Sequence, residues 1–98
     1  MTINTNELNV KNNEGMSRFE ADIDGHTAVA EYRRVGDRII FTHTEVPEEI
    51  REQGIASRLV GRALDFARAY GLTVEPRCPF VASFIERHPE YQDLVAKA

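Results

Sequence analysis

From Ser17 to Ile23 apolar and polar residues alternate, with Phe19, Ala21 and Ile23 on one side and Arg18, Glu20 and Asp22 on the other. That is the period of a strand with one buried face. Asp24-Gly25 follows, a two-residue signal for a tight hairpin. Thr27–Arg33 reads as a second strand, Gly36-Asp37 as another turn, and Arg38–Val46 as a third strand, the most β-prone of the chain. Short turns make these neighbours antiparallel. Pro47 has no N–H to donate and ends the third strand.

The period then changes. From about Gly54 to Tyr70, Ile55, Leu59, Ala63, Phe66, Ala67 and Tyr70 recur on one helical face, while Arg58, Arg62, Asp65 and Arg68 point elsewhere. Gly71 is a natural C-terminal cap. Leu72–Glu75 is a short strand stopped by Pro76, and Phe80–Arg87 reads as a helix, with Phe80, Phe84 and Ile85 available for packing. His88 suits the negative end of that helix, Tyr91 suits a partly buried position, and Glu90–Ala96 suits a last short helix. Residues 1–10, rich in Asn and Thr, read as a frayed end or a weak edge strand. A crossover helix returns the next strand parallel to the last. The expected fold is α+β: an antiparallel meander, then a parallel strand pair joined by a crossover helix, with C-terminal helices.

Composition narrows the function classes. The 98 residues suffice for one domain with a thin core. A formal net charge of -4 argues against a nucleic-acid binder. No apolar run approaches the roughly 20 residues a membrane span needs, and the first residues lack the pattern of a signal peptide. The single cysteine, Cys78, excludes an internal disulfide. A cytoplasmic, metal-free protein is expected, either a monomer or a weak homodimer through an exposed strand edge.

The chemistry concentrates where the third strand meets the helix. In Arg51-x-x-Gly54-x-Ala56 a glycine lies at the start of a helix. Helix N-termini carry unpaired N–H groups and a partial positive charge, which together suit a pyrophosphate. Gly54 would let the backbone approach, Ala56 would keep bulk away, and Arg51 and Arg58 would add charge at the mouth of the turn. No Gly-Lys-Ser/Thr follows and the three-glycine dinucleotide fingerprint is absent, so neither a nucleotide triphosphatase nor a dinucleotide fold is indicated.

The loop resembles the acyl-coenzyme-A signature of the GCN5-related N-acetyltransferases. His43–Pro47, the loop itself, Cys78-Pro79-Phe80 and His88–Tyr91 resemble, in that order, the very short YjdJ-type or NATD1-like members, over about Phe19–Val95. The resemblance implies the minimal acyl-CoA N-acyltransferase fold, with a splay between two parallel strands that takes the pantetheine arm. It implies coenzyme A contacts from Thr44 and Val46 on the strand. Further contacts would come from Arg51, Glu52, Gln53, Gly54, Ile55, Ala56, Ser57 and Arg58 in the turn, and from Cys78 and Phe80 at the next helix. The implied activity is direct transfer of acetyl from acetyl-CoA to an amine, a protein amine included. The alternative is a non-catalytic acyl-CoA-binding module acting as sensor or adaptor.

Acetyl transfer needs a neutral amine, a polarised carbonyl and a proton for the leaving thiolate. His43 and Glu45, two apart on a strand, project from one face and have the right type to accept the amine proton; the same spacing also describes a solvated strand end. Simple alternation puts Ile39 and Phe41 on that face too, which would make the site partly apolar. Cys78 starts the helix after the splayed strand, where full-sized relatives often carry a tyrosine acid. It reads as an acid, a nucleophile or a buried filler. Glu48, Glu49 and Glu52 would attract a cationic acceptor.

Overall fold

Each turn predicted from glycine chemistry is present, and the strands between them form one sheet. A computed structural model of the protein describes residues 8–96, apart from the side chains of Glu52 and Gln53. Strands β1 (Val10–Asn13), β2 (Arg18–Ile23), β3 (His26–Val35), β4 (Arg38–Glu45) and β5 (Thr73–Pro76) lie side by side in chain order. The first four run antiparallel; β4 and β5 are parallel. Helix α1 (Ile55–Ala69) joins β4 to β5, and α2 (Pro79–Arg87) follows β5. The Asp24-Gly25 turn has φ of 49° and 79° at its two central positions, the primed-turn geometry that matches the twist of a hairpin.

The edge strand β1 lies later than the weak N-terminal strand expected for residues 1–10, of which residues 1–7 fall outside the described residues. Its sequence, Val-Lys-Asn-Asn, has little intrinsic β-preference; pairing with β2, Val10 opposite Ala21 through Asn13 opposite Arg18, makes it a strand.

One face of the sheet is covered. Phe19, Ala21, Ala30, Tyr32, Ile39, Phe41 and Val74 form a single core with Ile55, Leu59, Val60, Ala63, Leu64 and Ala67 of α1 and with Val81, Phe84 and Ile85 of α2. The other face carries Asp22, Thr27, Arg33, His43 and Glu45, all exposed. A two-layer antiparallel arrangement with one wet face explains the clean alternation in β2. The buried face of α1 differs slightly from the one its periodicity predicts. Val60 and Leu64 are fully buried, whereas Tyr70 is 68% exposed, since the helix has ended at Ala69 before Tyr70 could turn inward.

The C-terminal segment is tied down. Pro89–Leu94 is a 3-10 helix rather than an α-helix, and Val95 makes a parallel bridge with Val74. His88 ends α2 as expected, its Nδ1 2.7 Å from the Phe84 carbonyl and its ring stacked on Phe84 at 3.9 Å. The Tyr91 hydroxyl donates to Asp65 at 2.7 Å. Burial first, and then that carboxylate, push the Tyr91 phenol up to about 12.

Candidate functional site

Two local events at the C-terminal end of β4 build the site. The first is a bulge. Tyr32 pairs with Phe41 and Glu31 with His43, so Thr42 has no partner residue on β3. A bulge shifts the side-chain alternation by one residue. Beyond it Thr44 lies opposite Ala30 and so joins Phe41 on the helix-covered face, while His43 and Glu45 lie opposite Glu31 and Val29 on the open face. The expectation that His43 and Glu45 share a face with Ile39 and Phe41 is therefore corrected. The two do stand together, His43 Nε2 lying 3.6 Å from Glu45 Oε2, with side chains 56% and 69% exposed.

The second event is a divergence. Parallel pairing of β4 with β5 runs from Arg38–Thr73 to Phe41–Pro76 and stops. The Phe41 carbonyl then accepts hydrogen bonds from Arg77 N–H at 3.0 Å and Cys78 N–H at 2.9 Å. These close the ladder and turn the chain into α2. Past Phe41, β4 keeps its β3 neighbour but leaves β5. Below the fork, Arg77 and Arg38 both engage Glu75; the Arg77 guanidinium beside it holds the Glu75 carboxyl below the usual carboxylate range.

The gap is a cleft of about 370 Å³. It is lined by His43, Thr44, Glu45 and Val46 from the end of β4, by Arg51 from the turn and by Ala56 and Phe80 from the two helices. Cys78 is absent from that lining. The residue is 4% exposed, and its Sγ lies 3.5 Å from Thr44 Oγ1. Pro79 in the first turn of α2 needs no N–H partner, which lets the strand turn abruptly into the helix at Cys78.

The turn is more ordered than a simple loop. Glu48–Gln53 is a 3-10 helix, and Gly54 then takes a left-handed conformation with φ 69° before α1 begins at Ile55. A helical bond runs from Arg58 N–H to the Gly54 carbonyl at 3.2 Å, and Gly54 has no side chain to cap the N–H groups that follow it. The N–H groups of Ile55, Ala56 and Ser57 thus open the helix with no carbonyl one turn earlier in it. Gly54 and Ser57 are exposed, Ala56 is half-buried, and Ile55 is fully buried, its side chain spent on the core. Arg58 is exposed and borders the same groove as Ser57.

Arg51 does not extend over this turn. Its Nε and Nη2 donate to the Val46 carbonyl at 3.4 and 3.2 Å, folding the side chain back toward β4. The side chains of Glu52 and Gln53 lie outside the described residues.

A second groove, of about 520 Å³, runs from Gly54 and Ser57 along α1. Its walls include Arg58, Gly61 and Arg62 on α1, and Phe84, His88 and Tyr91 across from them. Sequence periodicity marks Arg62 only as a polar position, because the groove exists only once α2 has docked beside α1 at Gly61. A Cβ at position 61 would come 3.7 Å from Phe84 Cζ. Among the described residues, no group of three or more His, Cys, Asp or Glu could hold a metal ion, and no helix is long and apolar enough to cross a membrane.

Comparison with known proteins gives this geometry its class. Residues 18–94 match the family described as GCN5-related N-acetyl-transferase. The chain is 33% identical over 85 residues to Protein NATD1 of Bos taurus, covering 84% of this chain and 75% of that one. It is 32% identical to the Homo sapiens Protein NATD1, again over 84% of this chain and 75% of the relative. The NMR solution structure of a GCN5-like N-acetyltransferase candidate from Staphylococcus aureus superposes with a TM-score of 0.71 at 28% identity, over 93% of this chain and 90% of that one. The chain belongs to the GCN5-related N-acetyltransferase family, and its mixed five-stranded sheet with helices is the fold of that class.

Proposed function

We propose that the protein is an acetyl-CoA-dependent N-acetyltransferase acting on an amine, a protein amine included. The observation that carries the reading is the fork after Phe41: a strand leaving its parallel neighbour beside an uncapped helix N-terminus. An extended pantetheine arm can lie in such a cleft along the β4 backbone. The pyrophosphate then meets the N–H groups at Gly54–Ser57, with Arg58 close by. Phe80 and Ala56 supply apolar contact to the arm, and Thr44 and Val46 line its path.

In the reaction the amine nitrogen attacks the thioester carbon, the C–S bond breaks, and the sulfur leaves as the coenzyme A thiolate. His43 and Glu45, side by side on the open face, are the groups offered to take the proton from the attacking nitrogen, directly or through water. A proton returns to the thiolate from solvent or through Thr44, whose hydroxyl lies against the buried Cys78 thiol. Its near-complete burial suits Cys78 to holding Thr44 in place more than to direct attack. The acceptor side is open, because no helix among the described residues covers the sheet face bearing His43 and Glu45. Glu48 and Glu49, both exposed at the start of the 3-10 helix, favour a cationic acceptor.

That openness also favours a second reading, a module that holds acyl-coenzyme A without turnover. Steady thiol release from acetyl-CoA with an amine panel separates the two. The transferase reading expects turnover that falls on the order of 100-fold in Glu45→Gln, the usual loss for a general base. Binding of coenzyme A with no thiol release in any amine leaves the module. No calorimetric signal with millimolar coenzyme A removes both. If Glu45→Gln and Cys78→Ala each leave turnover intact, neither residue has the role proposed for it.

A further inference from the structure

We infer that Arg51 is a positioning residue for the acyl cleft, a fork that pins the end of β4, and that it does not act by contacting the phosphates of the donor. The inference rests on the acetyl-CoA reading above for the ligand, and on independent geometry for the pin.

Past Phe41, β4 runs on with a bulge behind it and no β5 partner beside it. Its last residues are the wall of the cleft, so their position sets the width available to a thioester. Pro47 follows at once with no N–H to give, so the Val46 carbonyl stands where the sheet ladder has run out. The carbonyl is taken by Arg51. Two N–H groups on one edge of the guanidinium, Nε and Nη2, converge on that single oxygen. A second bond, Ile50 N–H to the Pro47 carbonyl at 3.0 Å, winds the intervening turn. Val46 and Ile50 are both buried, so the turn is anchored in the core beneath the fork. The result is a closed ring from Val46 to Arg51, both of which line the cleft.

Lysine cannot replace this. An ammonium is a point donor, while the guanidinium presents a fixed pair of N–H groups in one plane. A charge placed for a phosphate would instead lie over the first turn of α1, near Gly54 and Ser57. Arg51 lines the cleft with His43, Thr44, Glu45 and Val46, and it is not among the residues bordering the groove that runs from Gly54 along α1.

Two donors read the difference: acetyl-CoA, and S-acetylpantetheine, which has the same thioester arm and no phosphate. Initial rates are measured for the wild type, Arg51→Ala and Arg51→Lys with the same amine. The pin predicts a kcat about 10-fold lower in both variants, by the same factor with both donors and with KM for the donor little changed, since a charged hydrogen bond is worth roughly a factor of ten or more. A loss seen with acetyl-CoA but absent with S-acetylpantetheine, or full rescue by lysine, overturns the inference in favour of a phosphate contact. A second measurement needs no turnover. Amide hydrogen exchange on the free protein should speed up at residues 44–46 and 48 in Arg51→Ala while β2 stays protected. Unchanged exchange at those four amides overturns the pin itself. If the wild type shows no reaction with either donor while exchange behaves as expected, the acetyl-CoA reading fails and the pin stands.

Discussion

The two ends of α1 use the same residue type to opposite effect. Each is flanked by a glycine in the left-handed region, Gly54 with φ 69° and Gly71 with φ 66°. At the C-terminal end every device closes the helix. Leu72 N–H reaches the Ala67 carbonyl at 2.8 Å and Gly71 N–H the Arg68 carbonyl at 3.2 Å, the paired bonds of a Schellman cap. Arg68 meets Asp93 with two bonds, at 2.9 and 3.0 Å, and Tyr91 meets Asp65, so the last segment is strapped across the helix. At the N-terminal end the cap is a glycine with no side-chain cap bond, beside a forked sheet. One glycine satisfies a helix end internally. The other gives its helix end no side-chain cap. The same conformational freedom therefore serves stability at one end and, in the function proposed here, would serve binding at the other.

The sharpest way to break this comparison is one substitution made at both ends. Neither glycine has an atom within 4 Å of an added Cβ, so the cost of a side chain there is conformational and not steric. Gly54→Val should lower coenzyme A affinity by about 10- to 100-fold by calorimetry, the equivalent of one or two lost charge-assisted bonds. Gly71→Val should leave that affinity unchanged and lower stability by about 1–2 kcal/mol in chemical denaturation, the cost of a left-handed non-glycine residue. If both variants lose affinity equally, the two ends are not specialised as described.

Smaller effects sharpen the closed end. Arg68 bonding to Asp93 holds that carboxyl below the usual range. A depressed carboxylate contributes stability that is present above its unfolded pKa and is lost as pH falls through the folded one. Acid unfolding of the wild type should therefore include a component below the ordinary aspartate range that Asp93→Asn removes. Tyr91 is shifted the other way. Its raised folded pKa means a contribution present below the unfolded value, about 10, and lost as pH rises toward about 12. Spectrophotometric titration should show a tyrosine ionising near 12 that vanishes in Tyr91→Phe. Asp93→Asn should leave the turn at Gly54 unchanged, because Asp93 does not border the groove that runs from Gly54 along α1.

Much of this is legible along the chain. Alternation in β2 and β3, the Asp24-Gly25 turn, the helical period after Gly54 and the stop at Gly71 each follow from local chemistry, and Arg51-x-x-Gly54-x-Ala56 locates the open helix end. What misleads is the assumption that alternation continues unbroken through β4. Nothing local in Phe-Thr-His-Thr-Glu announces that Thr42 will bulge; the register is decided by how β3 and β4 pair over their whole length. That one residue moves His43 and Glu45 to the open face and brings Thr44 to Cys78. Arg51 is visible as a cation near a glycine turn, but its partner, a backbone carbonyl five residues back, becomes available only when Pro47 and the fork have ended the ladder.

By itself the sequence determined the order of strands and long helices from β2 onward, the buried face of β2 and the point where α1 would begin after a glycine. These depend on residue periods and on glycine and proline, whose preferences act within a few neighbours. The tertiary structure alone decided the shift of face at Thr42, the parting of β4 from β5 after Phe41, the burial of Cys78 and the groove beside Gly61. Each depends on two segments distant in sequence sharing hydrogen bonds or van der Waals contact, and no spacing along one chain encodes which of several compatible registers gives the best-packed core.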